Sequence, residues 1–116
     1  MKLKLLLLLS LFLVSSCAKL EVINARAGEN FTISLGSNPS TGYSWQLAKP
    51  LDEKIVRLVS SEYTSSQTKL VGAGGKENWT FLALKKGAAK IVLKYARPWE
   101  KDKLPAEQKT FSISVR

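Results

Sequence analysis

The sequence predicts an all-β protein, built as an antiparallel β-sandwich. Apolar and polar residues alternate in short runs of about four to seven residues, which is the period of a half-buried strand. Turn-forming residues separate these runs at intervals of roughly 8–12 residues. No long stretch carries the i, i+3, i+4 spacing of an amphipathic helix. About seven or eight short strands with this spacing are typical of an immunoglobulin-like sandwich.

The alternating runs assign the strands in order along the chain. A weak first strand contains Leu20, Val22 and Ile23. The stronger runs are Phe31–Leu35, Tyr43–Leu47, Ile55–Val59, Trp79–Ala83, Ile91–Tyr95 and Phe111–Val115. Gly, Pro and Asn between them mark the turns. One turn of helix within residues 51–59 is an alternative to a strand there.

The first residues have the pattern of an export signal. Lys2 and Lys4 are followed by an apolar run from Leu5 to Val14 that only Ser10 interrupts. The run is too short for a bilayer, which requires about 20 apolar residues. We therefore expect a signal peptide over residues 1–16 and exclude it from fold reasoning.

The signal ends in Val14-Ser15-Ser16-Cys17, which resembles a bacterial lipobox. The resemblance implies that Cys17 is lipidated and becomes the first mature residue. Residues 17–19 would then be a lipidated tether, and residues 20–116 the folded domain. Cys17 is the single cysteine, so it has no disulfide partner within the chain. A plain signal peptide with an incidental or buried thiol is the alternative.

A lipid anchor at Cys17 would place the protein in the bacterial cell envelope. Ala18 is not the Asp that usually signals retention at the inner membrane. In a Gram-negative cell we therefore expect the periplasmic face of the outer membrane.

Composition excludes several classes of function. The chain has no His, the commonest general base and metal ligand, so triads, Cys–His dyads and zinc sites are excluded. The glycines at 72–75 fit neither the P-loop nor the dinucleotide-binding spacing. We expect no enzyme, no metal and no cofactor, although a Ser–Lys enzyme site stays an alternative.

The charge is basic without being concentrated. The formal net charge is +9, or about +7 once Lys2 and Lys4 are removed with the signal. Lysines are interspersed with glutamates across the chain, so we expect no nucleic-acid partner.

Three loops stand out by composition, at residues 38–43, 72–75 and 97–99. If the strands follow immunoglobulin order, alternate loops leave the sandwich at the same end, and these three lie side by side. Taken singly, each has an ordinary explanation as a turn, a hairpin tip or a strand end with a Trp on the core.

Together, the three loops resemble those of the chagasin family of cysteine peptidase inhibitors. The motifs are NPSTGY at 38–43, GAGG at 72–75 and RPW at 97–99, in the family's order and spacing across the mature chain. Ser40 stands where the family usually has Thr, which keeps the hydroxyl and loses a methyl group.

The resemblance implies a monomeric, reversible, competitive inhibitor of papain-like cysteine peptidases. Thr41 would lie nearest the enzyme's nucleophile, the second loop on the substrate-binding side, and the third on the primed side. The implied peptidase-binding residues are Asn38, Pro39, Ser40, Thr41, Gly42, Tyr43, Gly72, Ala73, Gly74, Gly75, Arg97, Pro98 and Trp99.

These residue types suit a loop that enters a narrow cleft. Ser40, Thr41 and Gly42 are small, and Pro39 stiffens the loop, which reduces the entropy lost on binding. Tyr43 and Trp45 are expected to anchor the exit strand of the loop in the core, and Trp99 to be a binding hot spot. The alternative is a non-inhibitory envelope lipoprotein that binds another protein or a glycan through the same loops.

Overall fold

The computed structural model describes residues 20–65 and 74–116, which form seven strands and no α-helix. The predicted signal peptide, Cys17 and its tether, Gly72 and Ala73 lie outside the described residues. The strands are β1 (Leu20–Ala25), β2 (Asn30–Ser37), β3 (Ser44–Leu47), β4 (Val56–Ser65), β5 (Gly75–Ala83), β6 (Gly87–Ala96) and β7 (Glu107–Val115). A 3-10 turn spans Pro39–Thr41. The predicted all-β class is confirmed.

The strands form two sheets, in the orders β1-β7-β6-β3 and β2-β5-β4. All pairings are antiparallel except that of β1 with β7, which is parallel, with Leu20 opposite Thr110 and Ala25 opposite Val115. The expected antiparallel sandwich therefore has one parallel edge. Parallel neighbours need a long connection, and nearly the whole domain lies between these two strands.

Strand β4 is longer than its apolar pattern predicted. Residues 60–65 are polar and mostly exposed, yet they pair with β5 through the backbone. A register shift between Leu58 and Ser60 marks a bulge, and Val59 is exposed there. Of the alternative helical turn within residues 51–59, the structure has one hydrogen-bonded turn. In it, Ile55 N and Val56 N donate to Asp52 O.

The core lies between the sheets and is built from the inward-facing residues that the period-two pattern identified. Burying each large side chain contributes about 1.5–3 kcal/mol. The buried apolar residues are Ile33, Leu35, Trp45, Ile55, Val56, Trp79, Phe81, Ala83, Ala89, Ile91, Val92, Leu93, Phe111, Ile113 and Val115.

Strand direction brings the strand ends that flank the three loops to one end of the sandwich. Strands β2, β4 and β6 run towards this end, and β3, β5 and β7 start there. We call it the loop end, and the opposite end, with residues 26–29, 48–55 and 84–86, the distal end. Because β1 is parallel to β7, β1 also begins towards the loop end. In the described part of the chain, no helix has the length and apolarity needed to cross a membrane.

Candidate functional site

The loop at 38–43 is a tight turn that its own hydrogen bonds hold together. Asn38 Oδ1 accepts from Ser40 N at 3.2 Å and from Ser40 Oγ at 2.6 Å. Asn38 O accepts from Thr41 N at 3.1 Å and from Thr41 Oγ1 at 2.7 Å. Gly42 N donates to Pro39 O at 2.9 Å. The loop is therefore ordered before any partner arrives.

Gly42 connects this loop to the one at 97–99. Its φ is +88°, in the left-handed region that favours glycine. A Cβ at position 42 would lie 2.6 Å from Cη2 of Trp99, closer than carbon atoms can approach. The indole of Trp99 therefore packs against the bare backbone of Gly42, and any side chain there would displace it.

Arg97 supports the same contact between the 38–43 and 97–99 loops. Its Nε donates to Thr41 O at 3.1 Å, and its guanidinium lies 4.6 Å from the centre of the Tyr43 ring. Its Nη1 is 3.5 Å from Glu100 Oε2, within its own loop. One side chain thus fixes a carbonyl and an aromatic ring of the neighbouring loop, as a delocalised planar cation can.

An aromatic cluster on β3 and β6 supports the base of the loop. Tyr95 stacks on Tyr43 with ring centres 5.3 Å apart and contacts Trp45 at 5.0 Å. The Tyr95 hydroxyl accepts from Asn38 N at 2.9 Å. Trp45 is buried and donates its indole N–H to Gly36 O at 2.8 Å. The expected anchoring by Tyr43 and Trp45 therefore works through Tyr95, which was predicted only as a strand residue.

Glu77 joins the two ends of the 38–43 loop. Its carboxylate accepts from Ser37 Oγ at 2.7 Å, from Trp45 N at 3.1 Å and from the Trp79 indole N–H at 3.2 Å. Ser37 ends β2, and Trp45 belongs to β3, in the other sheet. Since β3 is an edge strand, its outward N–H needs such a partner.

Sequence reasoning did not single out Glu77, although a signal was present. It occupies the inward phase of β5, two residues before the buried Trp79. A carboxylate in an apolar alternation indicates a buried polar contact, because charge is seldom placed there without partners.

The described part of the second loop also packs closely against the first. A Cβ at Gly74 would lie 2.6 Å from Ser37 O, and one at Gly75 would overlap Thr64 O. Only glycine permits this approach of one backbone to another. The base of the loop therefore lies beside the end of β2, which is the adjacency that the strand order predicted.

Trp99 is the aromatic residue that the site presents to solvent. It is 66% exposed, whereas Trp45 and Trp79 are 4% and 6% exposed. This exposure agrees with the expectation that Trp99 is available for binding. It disagrees with the alternative that Trp99 packs on the core. Among residues 20–65 and 74–116, no group of three His, Cys, Asp or Glu side chains is placed to hold a metal ion.

The chain is similar in sequence and in structure to known peptidase inhibitors. The chain is 37% identical to amoebiasin-1 of Entamoeba histolytica over 95 residues, covering 80% of this chain and 86% of that protein. It is 32% identical to chagasin of Trypanosoma cruzi over 80 residues, covering 66% and 73%. The crystal structure of a cysteine protease inhibitor from Entamoeba histolytica has a TM-score of 0.64 at 25% identity, covering 84% of this chain and 95% of that one.

The family model agrees with these relatives. The model for the chagasin family peptidase inhibitors, I42, matches residues 24–115, which include all three loops. This is a family of peptidase inhibitors and not of enzymes. The chain belongs to the chagasin family of peptidase inhibitors.

Proposed function

We propose that this chain inhibits papain-like cysteine peptidases reversibly and competitively, by inserting the loops at 38–43, 72–75 and 97–99 into the active-site cleft. The main support for the proposal is that contacts join the 38–43 and 97–99 loops into one rigid projection. Arg97 holds Thr41 O, and Trp99 packs on Gly42. A preorganised projection binds without the entropic cost of ordering two separate loops. Family membership favours this reading over an envelope lipoprotein with another ligand.

The contacts of Thr41 explain why such a loop would resist cleavage. A scissile carbonyl must enter the oxyanion hole of the enzyme. In this loop Thr41 O already accepts a hydrogen bond from Arg97, and Thr41 Oγ1 donates to Asn38 O. Presenting Thr41 as a substrate would require both bonds to break. The loop therefore reaches the nucleophile without offering it a reactive geometry.

The second loop is proposed to lie along the substrate-binding side of the cleft. The close approach of Gly74 to the end of β2 and of Gly75 to β4 fixes the base of this loop. Gly75 already pairs with Ser37 and Ser65 in its sheet, so the amides proposed to pair with an extended segment of the enzyme are those of residues 72–74. The roles of Gly72 and Ala73 stay predictions from the motif.

We also propose that the chain is exported as a bacterial lipoprotein anchored through Cys17, and that it is a monomer without a nucleic-acid partner. The support is the apolar signal and the lipobox-like segment Val14-Ser15-Ser16-Cys17. A single cysteine at the expected cleavage site is better explained by an anchor than by a free thiol.

The first prediction concerns Trp99 and Thr41. The domain should inhibit papain stoichiometrically in a titration with a small fluorogenic substrate. Trp99→Ala should weaken inhibition by about 2 kcal/mol or more, since it removes an exposed aromatic anchor. Thr41→Ala should weaken it less, by about 1 kcal/mol, because it removes the short bond from Thr41 Oγ1 to Asn38 O and the long one that Oγ1 accepts from Tyr43 N at 3.5 Å. Val59→Ala, at an exposed site on β4, is the control. Unchanged inhibition in both loop variants would refute the loop assignment.

The second prediction separates backbone strain from loop contact. Gly42 and Gly28 both have positive φ, but a Cβ at Gly28 meets no atom within 4 Å. Gly28→Ala and Gly42→Ala should each lose about 1 kcal/mol of stability in urea unfolding, as left-handed positions do. Only Gly42→Ala should also lose inhibition of papain, because it displaces Trp99. Equal inhibition by the two variants would show that the Gly42–Trp99 contact is unimportant.

The third prediction concerns Glu77. Glu77→Ala leaves three donors short of an acceptor, so we expect a loss of about 2–4 kcal/mol in the free energy of unfolding and weaker papain inhibition. Glu77→Gln, which keeps one acceptor oxygen, should lose less on both measures. Glu62→Ala, which removes an exposed carboxylate from β4, should stay within about 0.5 kcal/mol of the parent. A free energy of unfolding like that of the parent for Glu77→Ala would contradict the proposal that Glu77 holds the two ends of the 38–43 loop together.

The fourth prediction tests the anchor. Mass spectrometry of the full chain expressed in a bacterial host should show a mature N-terminus at Cys17 carrying acyl chains. Cys17→Ser should abolish both the lipid mass and the partition of the protein into membranes. An unmodified Cys17 thiol in the exported protein would refute the lipoprotein assignment.

A further inference from the structure

We propose that attachment of the chain through Cys17 to a membrane hides the loop end from peptidases, so that the anchored protein is a masked inhibitor and release unmasks it. This inference rests on the proposed inhibitory function and gives it a mode of regulation. It follows from the direction of β1, and it holds for any surface to which the start of the domain is fixed.

The parallel pairing of β1 with β7 sets the geometry. In an antiparallel arrangement β1 would begin at the distal end, away from the loops. Here Leu20 lies opposite Thr110, three residues after β7 begins at Glu107. At roughly 3.3 Å per residue, that is about 10 Å along the sheet from the point where residues 97–106 join β7. The chain therefore enters the domain beside the proposed binding loops.

The tether is too short to move the domain away from its anchor. Cys17 precedes Leu20 by three residues, which span at most about 11 Å when fully extended. At full extension, the tether therefore spans about the distance from Leu20 to the start of β7. Little length is left for it to extend past the loops. By contrast β6, with ten residues, places the distal end about 30 Å farther away.

The size of a peptidase makes this distance decisive. A globular enzyme of about 200 residues has a radius of gyration near 16 Å and a diameter of about 40 Å. Such a body does not fit between a bilayer and loops whose attachment lies about 10–20 Å from it. Productive approach would require the domain to swing away from the surface.

Exposed apolar side chains favour the masked orientation over the swung one. Leu104 is 92% exposed and Trp99 66% exposed, both in the connection between β6 and β7. Leu20 and Val22 on β1 are 53% and 65% exposed. Trp and Leu side chains beside a bilayer partition into its interface. The loop end therefore gains contacts by lying against the membrane that the tether brings close.

The test compares two points of attachment on the same domain. Since all described strands and the whole buried core lie within residues 20–116, a chain of residues 17–116 retains the sandwich. Its single cysteine, Cys17, is coupled to maleimide lipid in phosphatidylcholine vesicles. The matched control combines Cys17→Ser with Lys86→Cys, which moves the coupling site to an exposed turn at the distal end.

We expect the association rate with papain to fall by about tenfold or more for the Cys17-coupled domain, because the binding face is sterically blocked. The domain coupled at position 86 should react within about twofold of the uncoupled protein. A flexible Gly/Ser insertion of about 50 residues between Cys17 and Leu20, with an r.m.s. length near 40 Å, should restore the rate. Equal rates for the two coupled domains, or no rescue by the insertion, would overturn the proposal.

A second readout needs no peptidase. Trp99 is the exposed Trp among the three in the chain, so quenching by brominated acyl chains reports its distance from the bilayer. Quenching should be strong for the Cys17-coupled domain and weak for the domain coupled at position 86. The reverse pattern would overturn the proposal. Failure of the uncoupled protein to inhibit papain would instead refute the proposed function and leave the orientation result standing.

Discussion

The structure of the loop end depends on one carboxylate. Glu77 accepts hydrogen bonds from the last residue of β2, from the backbone of β3 and from the indole of Trp79. A carboxylate has enough lone pairs for all three donors, and its negative charge strengthens each bond. It joins the two sheets at the point where their cores open towards the loops. Glu77 thus holds residues on both sides of the 38–43 loop, Ser37 before it and Trp45 after it.

Contacts made by Tyr95 and Arg97 stabilise the 38–43 loop beyond the residues that Glu77 holds. Tyr95 is placed by β6 and reaches Asn38, the first residue of the loop, through its hydroxyl. Arg97, two residues later, reaches Thr41 near the loop's tip. Strand β6 therefore positions the first loop as well as its own. Side chains on strands and at strand ends thus do what a disulfide does in many small secreted domains, and the folded domain contains no cysteine.

The fold could be predicted from local pattern, because a half-buried strand leaves its period in the sequence. The Trp79–Ala83 and Phe111–Val115 runs are examples, and the turn residues identified all three loops. Features that depend on distant partners could not be predicted. The parallel partner of β1, the bonds of Glu77 with Ser37 and Trp45, and the packing of Trp99 on Gly42 each join residues far apart in the chain. The polar end of β4 was missed because backbone pairing, which leaves no pattern in side chains, holds it.

The β1–β7 pairing also bears on how the domain is made. These strands are the first and last of the sandwich, and their contact closes a loop of nearly the whole domain. Contacts between residues so far apart form late, because closing a long segment is entropically costly and gains nothing until both strands exist. A chain emerging from its N-terminus must hold β1 without a partner until its final residues appear. The edge strand nearest the start of the domain is thus the last to be secured, and Ile23 and Ala25, which pack on the core once β1 has paired, are the apolar side chains that chaperones would meet in the meantime.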